Sequence, residues 1–474
     1  MHPETEKLKN RIRVALRDES LRAAVLKATD HSLAQRAEVV AEVSDWETLR
    51  EEAALRRDRT LNHLGDHLLR LEKRAQEKGI QVHWAVDGGA ANRIAAEICE
   101  AARCKSGDQR PVVAKSKSMT SEEIGLTAYL EAKGFEVVET DLGEYIVQIA
   151  GQTPSHITAP ALHLSRQDVG RIFAEKLGMP YSENPAELIG AARRKLRGKF
   201  LRAEVGITGA NFAVAETGTP LIVENEGNGR LVGAVPRTQI ILMGIEKVAA
   251  TWEDLLILLE LLPRSATGQR ATGSVLFFNR PRRAGEADGP EEIHLIILDN
   301  GRSRLLADAE LRSVLRCIRC GACLNACPVY RRIGGHAYGW IYPGPIGSVL
   351  APVMLGLQHA ADHPFASSLC GKCAEICPVK IDLHRHLLTL RARIVSGSSS
   401  HPAQRAFWHG WRWLLDHPHI YRTTAEISRS LLHDLLGGKW SPSLPVWSRE
   451  RETPRLAPQS FHERFAREFP EGVV

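Results

Sequence analysis

The chain has 474 residues, 43% hydrophobic and 25% charged, the balance of a globular protein with more than one domain. Its net charge of +6 is spread over 62 basic and 56 acidic residues, which excludes the concentrated basic face of a nucleic-acid-binding protein. No apolar run reaches the ~20 residues of a membrane-spanning helix. Met1-His2-Pro3-Glu4 opens without the apolar core of a signal peptide, so a cytoplasmic protein is expected.

Residues 1–79 read as a helical region. Leu21, Ala24, Val25 and Ala28 recur at helical spacing. A second helix is expected from a capping box at Ser44-Asp45-Trp46-Glu47, through Leu61, Leu64, Leu68 and Leu71, to Gly79.

Residues 80–300 read as an α/β domain. Short β-branched runs at 81–86, 111–114, 135–140, 145–149, 221–223, 239–243, 274–278 and 293–298 alternate with helical stretches. That alternation predicts a largely parallel sheet covered on both faces. Two stretches stand out as candidate ligand sites. Lys115, Ser116 and Lys117 follow a strand and precede a helix, which suits either an anion site or a plain helix cap with surface lysines. The stretch from Gly206 to Arg230 is rich in glycine and carries Asn211, Glu216, Thr217 and Arg230. It suits either close backbone approach to a ligand or a set of tight turns. It contains neither a P-loop nor a dinucleotide fingerprint.

Residues 301–395 read as a metal-cluster domain. Asp308 and Asp382 are expected to cap helices on either side of it. Seven of the nine cysteines lie here, as Cys317-x-x-Cys320-x-x-Cys323-x-x-x-Cys327-Pro328 and Cys370-x-x-Cys373-x-x-x-Cys377-Pro378. The first run has the spacing of a bacterial ferredoxin motif, whose fourth cysteine crosses to the other cluster. Zinc sites seldom use this triple spacing followed by proline. Crossed ligation gives Cys317, Cys320, Cys323 and Cys377 to one [4Fe–4S] cluster. The second cluster receives Cys327, Cys370 and Cys373, with Ser367 where a fourth cysteine is expected. Ser367, Asp362 and His363 are the nearby candidates for the fourth iron, which makes this centre convertible to [3Fe–4S]. The 42 residues between Cys327 and Cys370 favour a helical layout over a compact β-hairpin ferredoxin.

Residues 396–400 read as a linker. Residues 401–474 read as a helix with Phe407, Trp408, Trp411, Trp413 and Leu414, then a proline-rich, extended tail with Trp440, Trp447, Phe461 and Phe465. Aromatics in such a tail pin it to a surface, its own domain's or a partner's.

Taken together, several stretches resemble the lactate-utilisation (LUD) domain: 115–123, 139–145, 154–157, 206–218, 262–268 and 298–303. Residues 335–339 and 342–347 and the seven cysteines are similar to the iron–sulfur B proteins of a three-protein L-lactate oxidation system. The resemblance implies a LUD domain with a fold like that of sugar-phosphate isomerases and CoA-transferases. It also implies two [4Fe–4S] clusters and a role in oxidising L-lactate to pyruvate. The partners it implies are a cysteine-rich A protein and a C protein with a second LUD domain. An electron-transfer subunit of an L-lactate dehydrogenase-type complex is the expected function. The alternative is a self-contained oxidoreductase whose substrate site lies in the LUD domain.

Overall fold

The computed structural model describes residues 5–106, 111–397, 402–436, 457 and 459–470. The chain forms two units, Met1–Ile394 and Val395–Val474.

The first unit opens with helices Thr5–Arg17, Glu19–Ala41, Trp46–Asn62 and Leu64–Glu77. The expected long helix from Ser44 to Gly79 is therefore two. His63 leaves helical geometry (φ −118, ψ 29) and interrupts the hydrogen-bond series. Asp45 holds the N-cap position without a side-chain cap bond, so the expected capping box does not form.

Ten strands follow: β1 (Gln81–Ala85), β2 (Val112–Lys115), β3 (Glu136–Glu139), β4 (Ala203–Gly209), β5 (Phe212–Val214), β6 (Thr219–Glu224), β7 (Thr238–Gly244), β8 (Val248–Ala249), β9 (Ser274–Phe277) and β10 (Glu292–Leu298). Six of them make one sheet in the order β1-β10-β7-β4-β2-β3, parallel throughout. Strand β7 lies inside it and is buried at every position, as an apolar strand covered on both faces must be. Its side chains alternate between two cores. Ile240 and Leu242 pack with Ala91, Ala95, Leu126 and Leu130. Ile241 and Met243 pack with Phe212, Leu255 and Leu258.

The sequence predicts a strand at 145–149, where the structure has helix Leu142–Ile149. The Asp141 side chain accepts the Glu144 N–H and starts it. Tyr145 and Ile146 are apolar because they pack with Val112, Ala114 and Val138 of the sheet. A second, four-stranded sheet, β8-β5-β6-β9, is absent from the sequence reading. Its strands are short and rich in glycine and threonine at their ends.

The cysteine-bearing segment is built into the same core. Leu315, Ile318, Leu324, Tyr330, Val349 and Leu387 belong to one buried cluster with Phe212, Leu221 and Ile297. Asp308 accepts the Glu310 and Leu311 N–H groups and leads into a 3₁₀ turn, Arg312–Arg316, in place of the expected α-helix. The Asp382-led helix is present as Leu383–Gly397. Among the described residues no helix is long and apolar enough to cross a membrane.

The second unit contains helices Pro402–Leu415, Pro418–Leu436 and Phe461–Glu468. The last corrects the expected extended tail. Ser460 and Glu463 form a capping box that starts it. Phe407, Trp408, Trp411 and Trp413 are exposed. The linker residues 398–400, Trp440 and Trp447 lie outside the described residues.

Candidate functional site

All seven clustered cysteines are free thiols. Cys323 is held well above the ordinary thiol value, first by burial and then by the negative charges of Cys317, Cys320, Cys377 and Cys373. Cys320 is pushed up to about 12 by burial, with Cys377 and Cys317 adding to it. On Cys373 the thiols that act are Cys327 and Cys370. Each run's last cysteine feels a thiol of the other run: Cys317 acts on Cys377, and Cys370 acts on Cys327. Buried thiols that repel one another as thiolates are a donor set that needs a metal's positive charge to ionise.

The two runs share a local geometry. Arg319 and Leu369, each preceding a cysteine, have φ of 61° and 56°. Gly321 and Gly371, each following it, have φ of 77° and 80°. Short helices Ala322–Asn325 and Lys372–Glu375 then begin. The Arg319 N–H points at Cys317 Sγ at 3.4 Å, and the Leu369 N–H donates to Ser367 Oγ at 3.1 Å. Ser367 therefore occupies in the second run the place Cys317 has in the first. His363 is buried, with Nε2 against the Tyr338 carbonyl at 2.9 Å. Further backbone N–H groups face Cys327 Sγ (from Tyr330, 3.5 Å) and Cys377 Sγ (from Ile381, 3.4 Å). Such donors stabilise negative charge on sulfur. Among the described residues no three His, Cys, Asp or Glu side chains close on a single metal ion. The donor set fits two iron–sulfur clusters. The two positions differ in cover: Cys320, Cys323 and Cys377 are buried, whereas Cys370 is exposed.

The first thiol group lies against the LUD portion. His156 packs on Gly321, and its Nε2 faces Asn325 Oδ1 at 3.1 Å. Its Nδ1 accepts the Thr158 and Ala159 N–H groups, so the proton sits on Nε2. Burial holds this imidazole down at about 3, hence neutral. A buried ion network crosses the same boundary. Arg302 makes two bonds to Glu123 (2.8 and 2.9 Å) and one to Glu246 (2.6 Å). Tyr342 donates to Glu123 at 2.7 Å. Arg319 reaches Glu246 at 3.5 Å and lies over the Tyr342 ring at 4.4 Å. Burial raises the carboxyl of Glu246, but Arg302, Lys247 and Arg319 outweigh it and hold the group at about 2.

A cavity of about 290 Å³ opens at this boundary, lined by residues of both portions. Of the seven sequence candidates, Ser116, Lys117 and Asn211 line it. Lys115, Glu216, Thr217 and Arg230 are not among its lining residues. Lys115 is sealed in the core on Glu122 (2.8 Å) and Glu139 (2.7 Å), so it has no free charge for an anion. Glu216 accepts the Trp252 N–H at 3.4 Å, at the start of a helix. Thr217 bonds Thr219 in a tight turn, where a Cβ on Gly218 would lie 2.4 Å from the Ala75 nitrogen. Arg230 is exposed, and its backbone N–H bonds Glu224. The sequence reading missed Lys247, Arg319 and Tyr342. Arg319 lies between two ligand cysteines, and Lys247 follows a wholly buried strand; a charge in either place was the available signal.

Comparison with known proteins agrees with this geometry. The LUD domain family matches residues 68–298, the 4Fe-4S dicluster domain matches 313–381, and the lactate utilisation protein B C-terminal family matches 391–469. Lactate utilization protein B of Bacillus licheniformis is 44% identical over 93% of this chain and 88% of its own. The chain belongs to the lactate utilisation protein B family. Lactate utilization protein B of Macrococcus caseolyticus is 41% identical over 97% of this chain and 96% of its own. An Escherichia coli K12 relative, described as the uncharacterized electron transport protein YkgF, is 40% identical over 96% of each. A crystal structure of a DUF162 family protein from Deinococcus radiodurans covers 50% of this chain and 98% of its own at 15% identity, with a TM-score of 0.25.

Proposed function

We propose that this chain is the iron–sulfur electron-transfer subunit of a system that oxidises L-lactate to pyruvate, acting with the A and C proteins that the family resemblance implies. The observation that carries the reading is that seven thiols, Cys370 exposed and the others buried or half-buried, share one unit with the LUD fold. Cys317, Cys320, Cys323 and Cys377 would hold one [4Fe–4S] cluster. Cys327, Cys370 and Cys373, with Ser367 at the fourth position, would hold the other. Such centres exchange single electrons at potentials tuned by hydrogen bonds to sulfur and by solvent exposure. The chain's own contribution is that tuning. Buried apolar side chains exclude water from the first group, backbone N–H groups face the sulfurs, and Cys370 brings the second group to the surface, where a partner docks. The relatives' names, in lactate utilisation and in electron transport, support the same role.

The second reading is a self-contained oxidoreductase. The cavity against the first thiol group favours it. The two separate in one experiment: anaerobic lactate-dependent reduction of a dye by the purified holoprotein, alone and with the A and C proteins. Reduction only in the mixture supports the electron-transfer subunit. Full turnover by this chain alone would replace that reading with the second.

A further inference from the structure

The residues around the cavity carry an imbalance of charge that points to a ligand. At its inner end four cations, Arg57, Lys247, Arg302 and Arg319, meet two carboxylates, Glu123 and Glu246. Arg302 is satisfied by both carboxylates and the Asp299 carbonyl, and Arg57 gives its two terminal nitrogens to the carbonyls of Val248, Glu246 and Leu315. Lys247 and Arg319 are not satisfied. The Arg319 side chain is only 10% exposed, and its Nη1 is buried without a hydrogen-bond acceptor. Lys247 is 6% exposed and has neither a hydrogen bond nor an ion pair among the described residues. Both line the cavity. Cys317 lends negative charge on one side, but as a charge at a distance it gives neither group an acceptor. Burying an ammonium and a guanidinium in this state is costly unless an anion completes them.

The Arg319 side chain extends from the cysteine loop into the cavity wall. Farther out, the cavity's acidic residues act on a different cation. Burial lowers Lys117, and Asp141, Glu144 and Glu226 act against that shift, so these carboxylates serve the outer cation and not the inner end. Thr158 and Asn211 add polar groups, and Ile157, Leu262 and Pro263 add apolar wall. At about 290 Å³ the space is at the small end of ligand pockets, which span ~300–1,000 Å³. It suits a small metabolite and is too small for a dinucleotide.

We propose that this cavity binds a small organic carboxylate, a 2-hydroxy or 2-oxo acid, with its carboxylate on Lys247 and Arg319 and its substituted carbon towards Thr158 and Asn211. The proposal deepens the functional reading above and rests on it for the choice of acid. It places the ligand against the loop that joins Cys317 to Cys320.

The test uses the anaerobic, full-length holoprotein in calorimetric titrations with L-lactate, pyruvate and inorganic phosphate, alongside EPR of the reduced clusters. One saturable site is expected for L-lactate or pyruvate. Lys247→Met and Arg319→Gln each weaken it at least roughly tenfold with iron content unchanged. Because Arg319 lies in the cluster loop, Lys247→Met decides the matter if Arg319→Gln loses iron. Ligand should shift the signal of the four-thiolate centre and leave the other unchanged. Absence of saturable carboxylate binding, binding unchanged in Lys247→Met, or binding of phosphate alone would each overturn the proposal. A full iron count with no carboxylate binding would defeat this inference and leave the electron-transfer reading standing. A protein without two clusters would defeat that reading instead.

Discussion

Replacing Arg302 by Met should cost about 3–5 kcal/mol, the range for removing one member of a buried ion pair. The residues support the upper half of that range. Arg302 is 2% exposed, and it serves two carboxylates at once. Without it, Glu123 keeps Asn300 Nδ2 at 2.6 Å and the Tyr342 hydroxyl at 2.7 Å. Glu246 fares worse, keeping Arg319 at 3.5 Å, its own backbone N–H and the charge of Lys247. Most of the loss therefore arises at Glu246, and the double variant with Glu246→Gln should recover part of it. The pH dependence has a definite sign. In the native protein Glu246 is held at about 2, below its ordinary 4.5, so it contributes stability that is present above about 4.5 and lost as pH falls towards 2. In the Arg302→Met variant that depression is relieved. The difference between the two proteins should then shrink as the pH falls from about 4.5 towards about 2. Urea denaturation of the anaerobic holoproteins, followed by tryptophan fluorescence, measures both quantities. A loss under about 1 kcal/mol at neutral pH, or a difference that grows on acidification, would refute the reasoning.

Other perturbations read out the remaining contacts. Ser367→Cys should suppress conversion of the exposed centre to a [3Fe–4S] form on mild ferricyanide oxidation, followed by EPR, because Ser367 already has the backbone contact that Cys317 has; equal conversion in both proteins would remove Ser367 from the fourth position. Gly335→Ala places a Cβ 1.7 Å from the Ser155 carbonyl oxygen, where the cluster segment meets the LUD portion. It should destabilise by at least about 1–3 kcal/mol, and an unchanged denaturation midpoint would contradict that packing. Removing residues 398–474 should leave the iron content unchanged, since residues up to Ile394 form their own unit; loss of iron on truncation would show that the second unit supports the clusters.

What was legible in the sequence follows from how local each signal is. The cysteine runs are local in sequence, so the 4Fe-4S dicluster domain was readable. Strands β1, β2, β3, β6, β7, β9 and β10 carry continuous apolar runs and were readable too. Strand β4 was not: its glycines and Thr208 look like a turn, yet Gly206 is small because a Cβ there would lie 2.2 Å from the Val232 carbonyl. The helix at Tyr145 was misread because Tyr145, Ile146, Val147 and Ile149 fit both periods and only the Asp141 cap decides between them. Lys115 looked like a ligand group because a sequence does not show that Glu122 and Glu139 converge on it. The inner wall of the cavity brings Lys247 from the LUD portion against Arg319 and Tyr342 from the cluster segment. Such distant pairings leave no mark on either stretch alone.

The most direct measurement of the central claim is paired EPR and iron analysis of the anaerobic Cys377→Ser and Cys370→Ser holoproteins. Cys377 lies seven positions after Cys370 in sequence, but electrostatically it stands with Cys317, Cys320 and Cys323. Crossed ligation predicts that Cys377→Ser alters the signal of the enclosed four-thiolate centre and spares the exposed one, whereas Cys370→Ser does the reverse. If both substitutions damage the same centre, the crossed assignment is wrong.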